Sequence, residues 1–587
     1  MRNLFSNKRT APAMLGWGVV LILFILILLP LLAVLIQIVL PGIFFGKLDF
    51  AGFGLVFEIF ERKLWSKSLT NSLILATGTA VLGTVLGTAL AIMRTSRAFK
   101  TKFALDFTAW ALLILPSFIM AQGWVLFSSG KGIATNVLGM DWVTGFVFSP
   151  IGLIFIMTCC KFPYAYLAVT AALEWNVSQY NEAARLNGAS AWHALRTVQV
   201  PLMIPALLSG AALIFMDTIG DFGLPASLAA VYSFPTLSYS IYTALYTAPI
   251  RFDMAGILSF YLVVIIVLVM LFQLFILRKG DYSFITSRAI RKEPLKTKNS
   301  WIYDIINSCF LLIALGIPIG SSLLVSFMDT LGKGVSLGNF TMKHYISLFN
   351  VDSTILIGLK NSLLIAALAG FIGLIVGICI GYVLIFTDFK FRSLIDSLSV
   401  VSLAVPGVVL GIGYIFIWNQ PFLESIHLHL YGKPAILVLA SIAGAIPIAA
   451  RLMISAMTKV PASLLASASV QGASLSRRIW TILLPLMRAS ILTAGLTAFG
   501  TSIFDLAITS ILYPPNFVTL PVAINKSFED LNYGFATAAT ITSGTIIIIF
   551  MMLFKWFVEK GFTLISQLSK KEDKQHVVTD SKRLQNF

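Results

Sequence analysis

Charged side chains are scarce in this chain. Only 11% of its 587 residues are Asp, Glu, Lys or Arg, whereas 58% are hydrophobic and the mean hydropathy is +0.90. Soluble domains carry roughly 25% charged residues. The composition therefore excludes an ordinary soluble fold and indicates an integral membrane protein.

Cysteine and histidine are also rare. The four cysteines all lie in apolar segments, and none forms a Cys-x2-Cys pair. The five histidines are scattered along the chain. This distribution predicts that the cysteines are small packing residues rather than disulfides or metal ligands, and we expect no metal site. The cysteines are Cys159, Cys160, Cys309 and Cys379.

Motifs that would make the chain an enzyme are missing. No segment matches the phosphate-binding pattern G-x4-G-K-[S/T], and the apolar segments carry no Ser-His-Asp or metalloprotease signature. The net charge of +17 comes without a nucleic-acid recognition motif, so we expect no nucleic-acid partner. We therefore expect a non-catalytic chain that binds no cofactor. If ATP drives its activity, a separate polypeptide must bind the ATP and Mg²⁺.

Long apolar runs are abundant instead. Twelve of them are near the length of roughly 20 residues that an α-helix needs to cross the hydrocarbon core of a bilayer. Backbone polar groups in lipid must be satisfied within the segment, so the runs are predicted to be helices, six in each half of the chain. The runs are about 14–40, 69–93, 103–127, 149–173, 204–226, 255–277, 303–327, 361–386, 394–418, 434–457, 488–511 and 539–558.

Positive charge predicts the orientation of these helices. Arg2, Lys8 and Arg9 precede the first run, which is too long for a signal peptide and lacks a small-residue cleavage site. Lys and Arg then concentrate in alternate loops and at both the linker and the tail, whereas the other loops, except 41–68, are poor in them. The pattern predicts a multi-pass protein with both termini in the cytoplasm.

A polar segment occurs twice between apolar runs. Residues 182–201 read EAARLNGASAWHALRTVQVP and residues 466–485 read ASASVQGASLSRRIWTILLP, at an offset of 284. Earlier in the chain the offset is 290, which aligns the Asn-Ser-Leu triplet at 71–73 with the one at 361–363. We interpret the chain as two homologous six-helix halves related by a pseudo-two-fold axis along the membrane normal.

The repeated segment resembles the cytoplasmic loop of ABC importer permeases. The signature of that loop is Glu-Ala-Ala, three residues, Gly and, after a gap, Ile-x-Leu-Pro. The first copy matches at Glu182, Ala183, Ala184, Gly188 and Pro201, and the second at Ala466, Ala468, Gly472 and Pro485. The second copy lacks the glutamate, so a charged contact with an ATPase is expected at the first copy only.

The resemblance covers about 68–275 and 358–558 and implies an all-α permease subunit in a prokaryotic plasma or inner membrane. It implies that loops 174–203 and 458–487 dock on two cytoplasmic ABC ATPase subunits, with the glycine forming a turn and the proline starting the next helix. A substrate-binding protein outside the membrane would deliver the substrate. The similarity is greatest to the iron(III) branch, which implies iron(III) as substrate; a phosphonate, thiamine, a polyamine or another small solute is the alternative.

The resulting domain prediction has four parts. The first half is 1–278, a basic linker is 279–300, the second half is 301–560, and a charged tail is 561–587.

Ionisable residues inside the apolar runs are the remaining candidates for function. Lipid exposure would cost such groups several kcal/mol, so we expect them to line or gate a path between the halves. The alternative is that they form structural Lys–Asp or Arg–Asp pairs that fix helix packing. These residues are Lys161, Asp217, Asp221, Arg451 and Asp505. A helix kink at Pro116 and Pro406, or at Pro163 and Pro447, would fit either interpretation.

Two other classes of protein share part of this pattern. A secondary transporter driven by an ion gradient would share the two six-helix repeats, but it does not need the Gly-Ala…Pro loop in both. A membrane-embedded enzyme would need a cluster of catalytic groups, and the ionisable residues in the runs are too sparse and chemically mixed for that.

Overall fold

The fold is helical throughout the part of the chain that the computed structural model describes. It describes residues 3–43, 50, 54–173, 178–279, 299–350 and 353–584. Within these ranges there is no β-strand, and Met328 and Phe340 form an isolated antiparallel bridge.

The helices fall into two sets with the same order. The first set is α1 (Ala13–Val39), α2 (Lys63–Ser96), α3 (Lys102–Ile114), α4 (Ser117–Ser128), α5 (Pro150–Ala172), α6 (Ser178–Leu186), α7 (Trp192–Gly220), α8 (Gly223–Ser227), α9 (Leu237–Tyr246) and α10 (Phe252–Lys279). The second set is α11 (Ser300–Ser326), α12 (Thr354–Phe386), α13 (Arg392–Ala404), α14 (Gly407–Trp418), α15 (Pro434–Met457), α16 (Ala462–Val470), α17 (Ser476–Leu486), α18 (Arg488–Ile503), α19 (Leu506–Leu512), α20 (Leu520–Glu529) and α21 (Tyr533–Leu584). Shorter helices in the connections include Gly54–Glu61, Ile133–Asn136, Trp142–Val147, Lys343–Leu348 and Phe422–Ser425.

Among the described residues, nine single helices are long and apolar enough to cross a membrane. Three more crossings are formed if each bent helix pair is one span: α3 with α4, α13 with α14, and α17 with α18. This arrangement places six crossings in each half, in agreement with the twelve predicted runs.

Two predicted runs are broken rather than kinked. The chain bends by 108° between α3 and α4 and by 110° between α13 and α14. The residues before Pro116 and Pro406 are extended, with ψ 128° at Leu115 and 119° at Val405, because proline disfavours the helical conformation of its predecessor. Pro163 and Pro447 behave differently, since α5 and α15 continue through them.

Two other predicted runs are too long. The run 204–226 ends as a helix at Gly220, where Asp221 is extended, and the short helix α8 follows. The run 488–511 likewise ends at Ile503, and α19 follows Asp505. In each half an aspartate therefore stands at a helix break rather than inside a helix.

The first helix of each half packs against the opposite half. A Cβ atom added at Gly123 in α4 would lie 2.2 Å from the carbonyl oxygen of Pro318 in α11, and one at Gly413 in α14 would lie 2.5 Å from that of Pro30 in α1. Glycine lets the two backbones approach this closely. The halves are thus joined by a reciprocal exchange of their first helices.

The repeated Asn-Ser pair holds a long helix to a short one in each half. Its amide donates to a backbone carbonyl, and its hydroxyl accepts a backbone N–H at the start of the short helix. In the first half, Asn71 Nδ2 donates to the Pro235 carbonyl (3.0 Å) and Ser72 Oγ accepts from the Leu237 N–H (2.7 Å). In the second, Asn361 Nδ2 donates to the Val518 carbonyl (2.9 Å) and Ser362 Oγ accepts from the Leu520 N–H (2.9 Å). This shared pattern anchors α9 on α2 and α20 on α12.

Two of the predicted segments can be described only in part. Residues 280–298 of the predicted linker lie outside the described residues. The predicted tail continues α21 as a helix as far as Leu584, and its side chains from 561 onwards also lie outside the description.

All four cysteines are free. Cys159 and Cys160 are buried, as their predicted packing role requires, and Cys379 is partly buried. Cys309 is exposed on α11, so the packing interpretation is wrong for this residue.

Candidate functional site: a central cavity and two repeated loops

A cavity of about 730 Å³ lies between the two halves. In the first half it is lined by the Pro116 break, the middle of α5 and the C-terminal part of α7 up to the Asp221 break. In the second half it is lined by the end of α13, the Pro406 break, the middle of α15 and the Asp505 break. The four helix breaks thus meet around one space.

Four side chains give the cavity wall its formal charges. They are Lys161, Asp217, Asp221 and Asp505. Four of the five ionisable residues predicted from the sequence are thereby brought to one site. Arg451 is not among the residues that line it.

Lys161 forms ion pairs with both aspartates of the first half. Its Nζ lies 2.8 Å from Asp221 Oδ2 and also contacts Asp217 Oδ2. The side chain of Lys161 is 12% exposed, and that of Asp221 is 4% exposed. Burial of a charge is tolerated when it is paired and hydrogen-bonded, as it is here. The predicted structural pair therefore exists, and it lines the cavity as well.

Asp221 also fixes the break between α7 and α8. Its Oδ1 accepts hydrogen bonds from Ser117 Oγ (2.8 Å) and from the Leu224 N–H (3.1 Å), and its carbonyl accepts one from Ser238 Oγ (2.6 Å). One carboxylate therefore caps α8, holds the Pro116 break through Ser117 and neutralises Lys161. Each of its oxygens has a partner.

Asp505 repeats the capping geometry without the ion pair. Its carboxylate accepts a hydrogen bond from the Ile508 N–H (2.9 Å) at the start of α19, as Asp221 does at α8. The positions equivalent to Lys161 and Asp217 at the offset of 284 are Ala445 and Thr501. Among the described residues, no basic side chain forms an ion pair with Asp505.

Arg451 takes part in a different contact. Its guanidinium donates to Asp396 Oδ1 (3.2 Å) and to Ser399 Oγ (3.0 Å), which joins α15 to α13. Arg451 therefore forms a structural Arg–Asp pair between two helices, which is the alternative that the sequence analysis gave to a position on the path.

The carboxylates that serve this packing are not among the residues predicted from the sequence. Asp396 lies at an offset of 290 from Asp106, which accepts hydrogen bonds from Arg94 (2.9 Å) and from the Tyr166 hydroxyl (2.6 Å). Because Asp106 and Asp396 occupy equivalent positions in the two halves, the repeat itself could have indicated their shared role.

No cluster of three or more His, Cys, Asp or Glu side chains suited to hold a metal ion occurs in the described parts of the chain. The cavity carboxylates are therefore charges along a wall rather than a preformed chelating site.

The repeated loops have the same backbone structure. Gly188 and Gly472 both adopt the left-handed region, with φ +88° and +84°. In each loop the residue after the glycine donates to a carbonyl five residues back, and the glycine donates to one three residues back. These bonds are Ala189 to Ala184, Gly188 to Arg185, Ala473 to Ala468 and Gly472 to Ser469, all of 3.0–3.1 Å. This Schellman motif ends α6 and α16 with a glycine that no other residue type replaces without strain. The predicted turn is confirmed.

The match continues beyond the turn. Ser190 and Ser474 each cap the next helix, accepting from the N–H of His193 (3.2 Å) and of Arg477 (3.3 Å). The helices then differ, because α7 runs on through Gly220 whereas α17 and α18 meet at a bend of 82°.

In each copy the proline lies in the first turn of an α-helical stretch, as predicted, but this stretch continues a helix that begins earlier. Pro201 lies inside α7, just after a π-helical turn at Leu195–Gln199. Pro485 lies one residue before the end of α17. A π-helical turn directly precedes each proline-containing stretch and belongs to the same continuous helix. The helix therefore continues through the proline although proline has no backbone N–H to donate.

Each loop presents an apolar side chain to solvent. Leu186 is 88% exposed and Val470 is 89% exposed, and these two positions are equivalent at the offset of 284. Trp192 and Trp480 are also exposed nearby. Apolar side chains grouped this way on a polar loop mark a surface that another protein can cover. The side chain of Glu182 lies outside the described residues, so its predicted contact stays a prediction.

Comparison with known proteins agrees with this duplicated architecture. The model of the family described as "binding-protein-dependent transport system inner membrane component" matches the chain twice, at residues 83–280 and 369–560. This chain belongs to that family. The permease is thus a multi-pass inner-membrane component of an ABC transport system, and both of its repeated loops lie within the matched regions.

Several relatives of the permease match it over most of its length. A ferric transport system permease protein of Actinobacillus pleuropneumoniae is 24% identical over 556 residues, which is 92% of this chain and 77% of that protein. A putative ferric transport system permease protein of Haemophilus influenzae is 24% identical over 82% of this chain and 74% of its own length. A probable ABC transporter permease protein of Sinorhizobium fredii is 24% identical over 87% of this chain and 89% of its own length.

Proposed function

We propose that the permease forms the translocation path of an ATP-driven importer, and that the central cavity is part of this path. The observation that carries the proposal is the pair of equivalent loops, with the same glycine turn and the same exposed apolar position. Two docking surfaces with the same backbone turn fit two copies of one partner, namely two cytoplasmic ATPase subunits. ATP hydrolysis then belongs to those subunits.

The proposed orientation places both loops and both termini in the cytoplasm. Four basic residues lie around the connection between α2 and α3, on the same side as the repeated loops: Arg94 at the end of α2, Arg97 and Lys100 in the connection, and Lys102 at the start of α3. The cavity is lined along α7 from Ser209 to Asp221 and is bounded by the helix breaks. This part of α7 rises about 18 Å, at about 1.5 Å per residue, on the loop side of the breaks. The cavity is accordingly inward-facing in this conformation.

The division of the chain follows from this topology. The halves 1–278 and 301–560 each supply one wall of the path and one docking loop. The linker 279–300 and the tail 561–587 remain cytoplasmic. Since both halves are in one chain, one copy suffices for a complete importer with two ATPase subunits and one extracytoplasmic substrate-binding protein.

The proposed substrate is iron(III). Support comes from the two ferric transport permeases, which match this chain over 92% and 82% of its length. The cavity is suited to letting iron(III) pass through rather than to holding it tightly, because it offers dispersed charges and not a chelating cluster.

Docking of the ATPase is tested at the exposed apolar positions. Leu186→Asp or Val470→Asp should weaken the binding of purified ATPase to the detergent-solubilised permease. Burying such a side chain is worth about 1.5–3 kcal/mol, so each change should raise the Kd roughly 10- to 100-fold. Leu138→Asp is the matched control, since Leu138 is exposed in a loop on the opposite side. Equal loss in all three variants, or in none, would remove the docking role.

Transport is tested in proteoliposomes that contain the permease, the ATPase and the binding protein. Radioactive iron(III) delivered by the binding protein should accumulate only when ATP reaches the ATPase. Accumulation that follows an ion gradient without ATP would instead identify a secondary transporter. ATP-dependent uptake of a phosphonate, thiamine or a polyamine, but not of iron, would leave the machinery in place and reject the substrate.

A further inference from the structure

The two walls of the cavity differ in charge although they are equivalent in backbone. In the first half, Lys161 pairs with Asp217 and Asp221. In the second half, alanine and threonine stand at the positions of Lys161 and Asp217, and only the third ionisable position keeps its residue type, as Asp505. The lining as a whole has three carboxylates and one amine.

We propose that Asp505 is the cation-binding side chain of the path, and that the cavity selects positively charged cargo. The inference rests on the proposed function and deepens it by assigning the charge class of the substrate and the residue that recognises it. It applies to a metal cation or a cationic complex, whichever the binding protein delivers.

The environment of Asp505 supports this assignment. Its carboxylate is held by the Ile508 N–H at the break before α19, so its position is fixed by the backbone. Its neighbours in the cavity wall, Phe504, Leu506 and Ala507, are apolar. Charges interact strongly in such surroundings, because the effective dielectric constant is far below that of water. A passing cation would pair with Asp505 as Lys161 pairs with Asp221.

The same arrangement disfavours an anion. Among the described residues that line the cavity, Lys161 is the only basic one, and two carboxylates already neutralise it. An anionic substrate would meet an excess of negative charge, which costs free energy wherever water is partly excluded.

Direct binding of a trivalent cation tests the proposal without the ATPase or the binding protein. Tb³⁺ is titrated into the purified full-length permease, and its luminescence is sensitised by aromatic side chains such as Tyr164, which lines the cavity. Asp505→Asn should weaken Tb³⁺ binding roughly tenfold or more, because one full charge is lost from a poorly solvated wall. Asp505→Glu should retain the binding. Asp388→Asn, at a fully exposed carboxylate of the same half, is the control and should change nothing.

A second variant introduces into the second half the amine that Lys161 provides in the first half. Ala445→Lys places an amine at the position equivalent to Lys161, and it should reduce Tb³⁺ binding as Asp505→Asn does. If this variant does not fold, the Asp505 variants decide alone. Tb³⁺ binding that is absent from the wild type, or that is equal in wild type and Asp505→Asn, overturns the proposal.

Uptake measurements separate this inference from the proposed function. In proteoliposomes with ATPase and binding protein, Asp505→Asn should lower iron(III) uptake while ATPase binding stays at the wild-type level. If the wild type imports no iron(III) but binds Tb³⁺ through Asp505, the proposed substrate fails and the cation site stands. If iron(III) is imported equally by wild type and Asp505→Asn, the proposed function stands and the role of Asp505 fails.

Discussion

Replacing Lys161 by methionine should destabilise the permease strongly. The amine pairs with two aspartates, and the Asp221 side chain is only 4% exposed. Without Lys161, Asp221 keeps its hydrogen bonds from Ser117 and Leu224 but has no counter-charge. Removing one partner of a buried ion pair costs about 3–5 kcal/mol, because the other charge is left uncompensated. Asp217 should add little to this cost, since its side chain is 36% exposed.

The compensated variant isolates the charge from the packing. In Lys161→Met/Asp217→Asn/Asp221→Asn no charge remains to be paired, and asparagine at 221 still accepts from Ser117 and Leu224. The free energy of unfolding should then return to within about 1–2 kcal/mol of the wild type. Asp505→Asn is the matched control, because asparagine also caps a helix well and no ion pair is lost.

The assay is denaturant- or heat-induced unfolding of the purified permease in one detergent, with all four proteins measured together. A Lys161→Met permease as stable as the wild type would refute the reasoning, as would a triple variant less stable than the single one. Uptake by the stable triple variant then shows whether Lys161, Asp217 and Asp221 serve the path or only form structural pairs. Wild-type uptake would make the cluster structural, and lost uptake would give it a role in the path.

Two further predictions concern the docking loops. Gly188→Pro or Gly472→Pro should abolish uptake and leave membrane insertion intact, because proline cannot adopt the positive φ of these turns. Gly139→Ala is the control: it strains an open turn outside the docking loops and should keep uptake. Normal uptake by both proline variants would exclude a coupling role. Glu182→Ala should weaken ATPase binding by about 0–1 kcal/mol, or more if docking excludes water, while Ala466→Glu changes it less. Equal ATPase affinity and stimulation in the Glu182→Ala and wild-type permeases would show that loop shape alone carries the docking.

The repeat allowed much of the fold and of the loops to be predicted. Glycine at 188 and 472 indicated two turns, and the structure gives both the same hydrogen bonds. The twelve apolar runs correspond to the twelve possible crossings. These features depend on local backbone chemistry and on hydrophobic length, both of which a sequence displays directly.

The helix breaks could not be predicted, because proline alone does not determine them. Pro116 and Pro163 both lie in apolar runs, yet only the first interrupts its helix. Partners from distant segments distinguish the two, such as the bond from Ser117 to Asp221. The same limit applies to the charged residues. Composition showed that Lys161 and Arg451 needed partners, but the fold decided that one faces the cavity and the other Asp396.

The exchange of first helices has a consequence for biosynthesis. The partner of Pro30 is Gly413, so α1 emerges from the ribosome about 380 residues before the helix on which it packs. At about 5–20 residues per second, this interval is on the order of 20–80 s. During that time the packing face of α1 must be covered by lipid or by the insertion machinery. Synthesis of both halves as one chain keeps the waiting helix tethered to its partner until that partner is made.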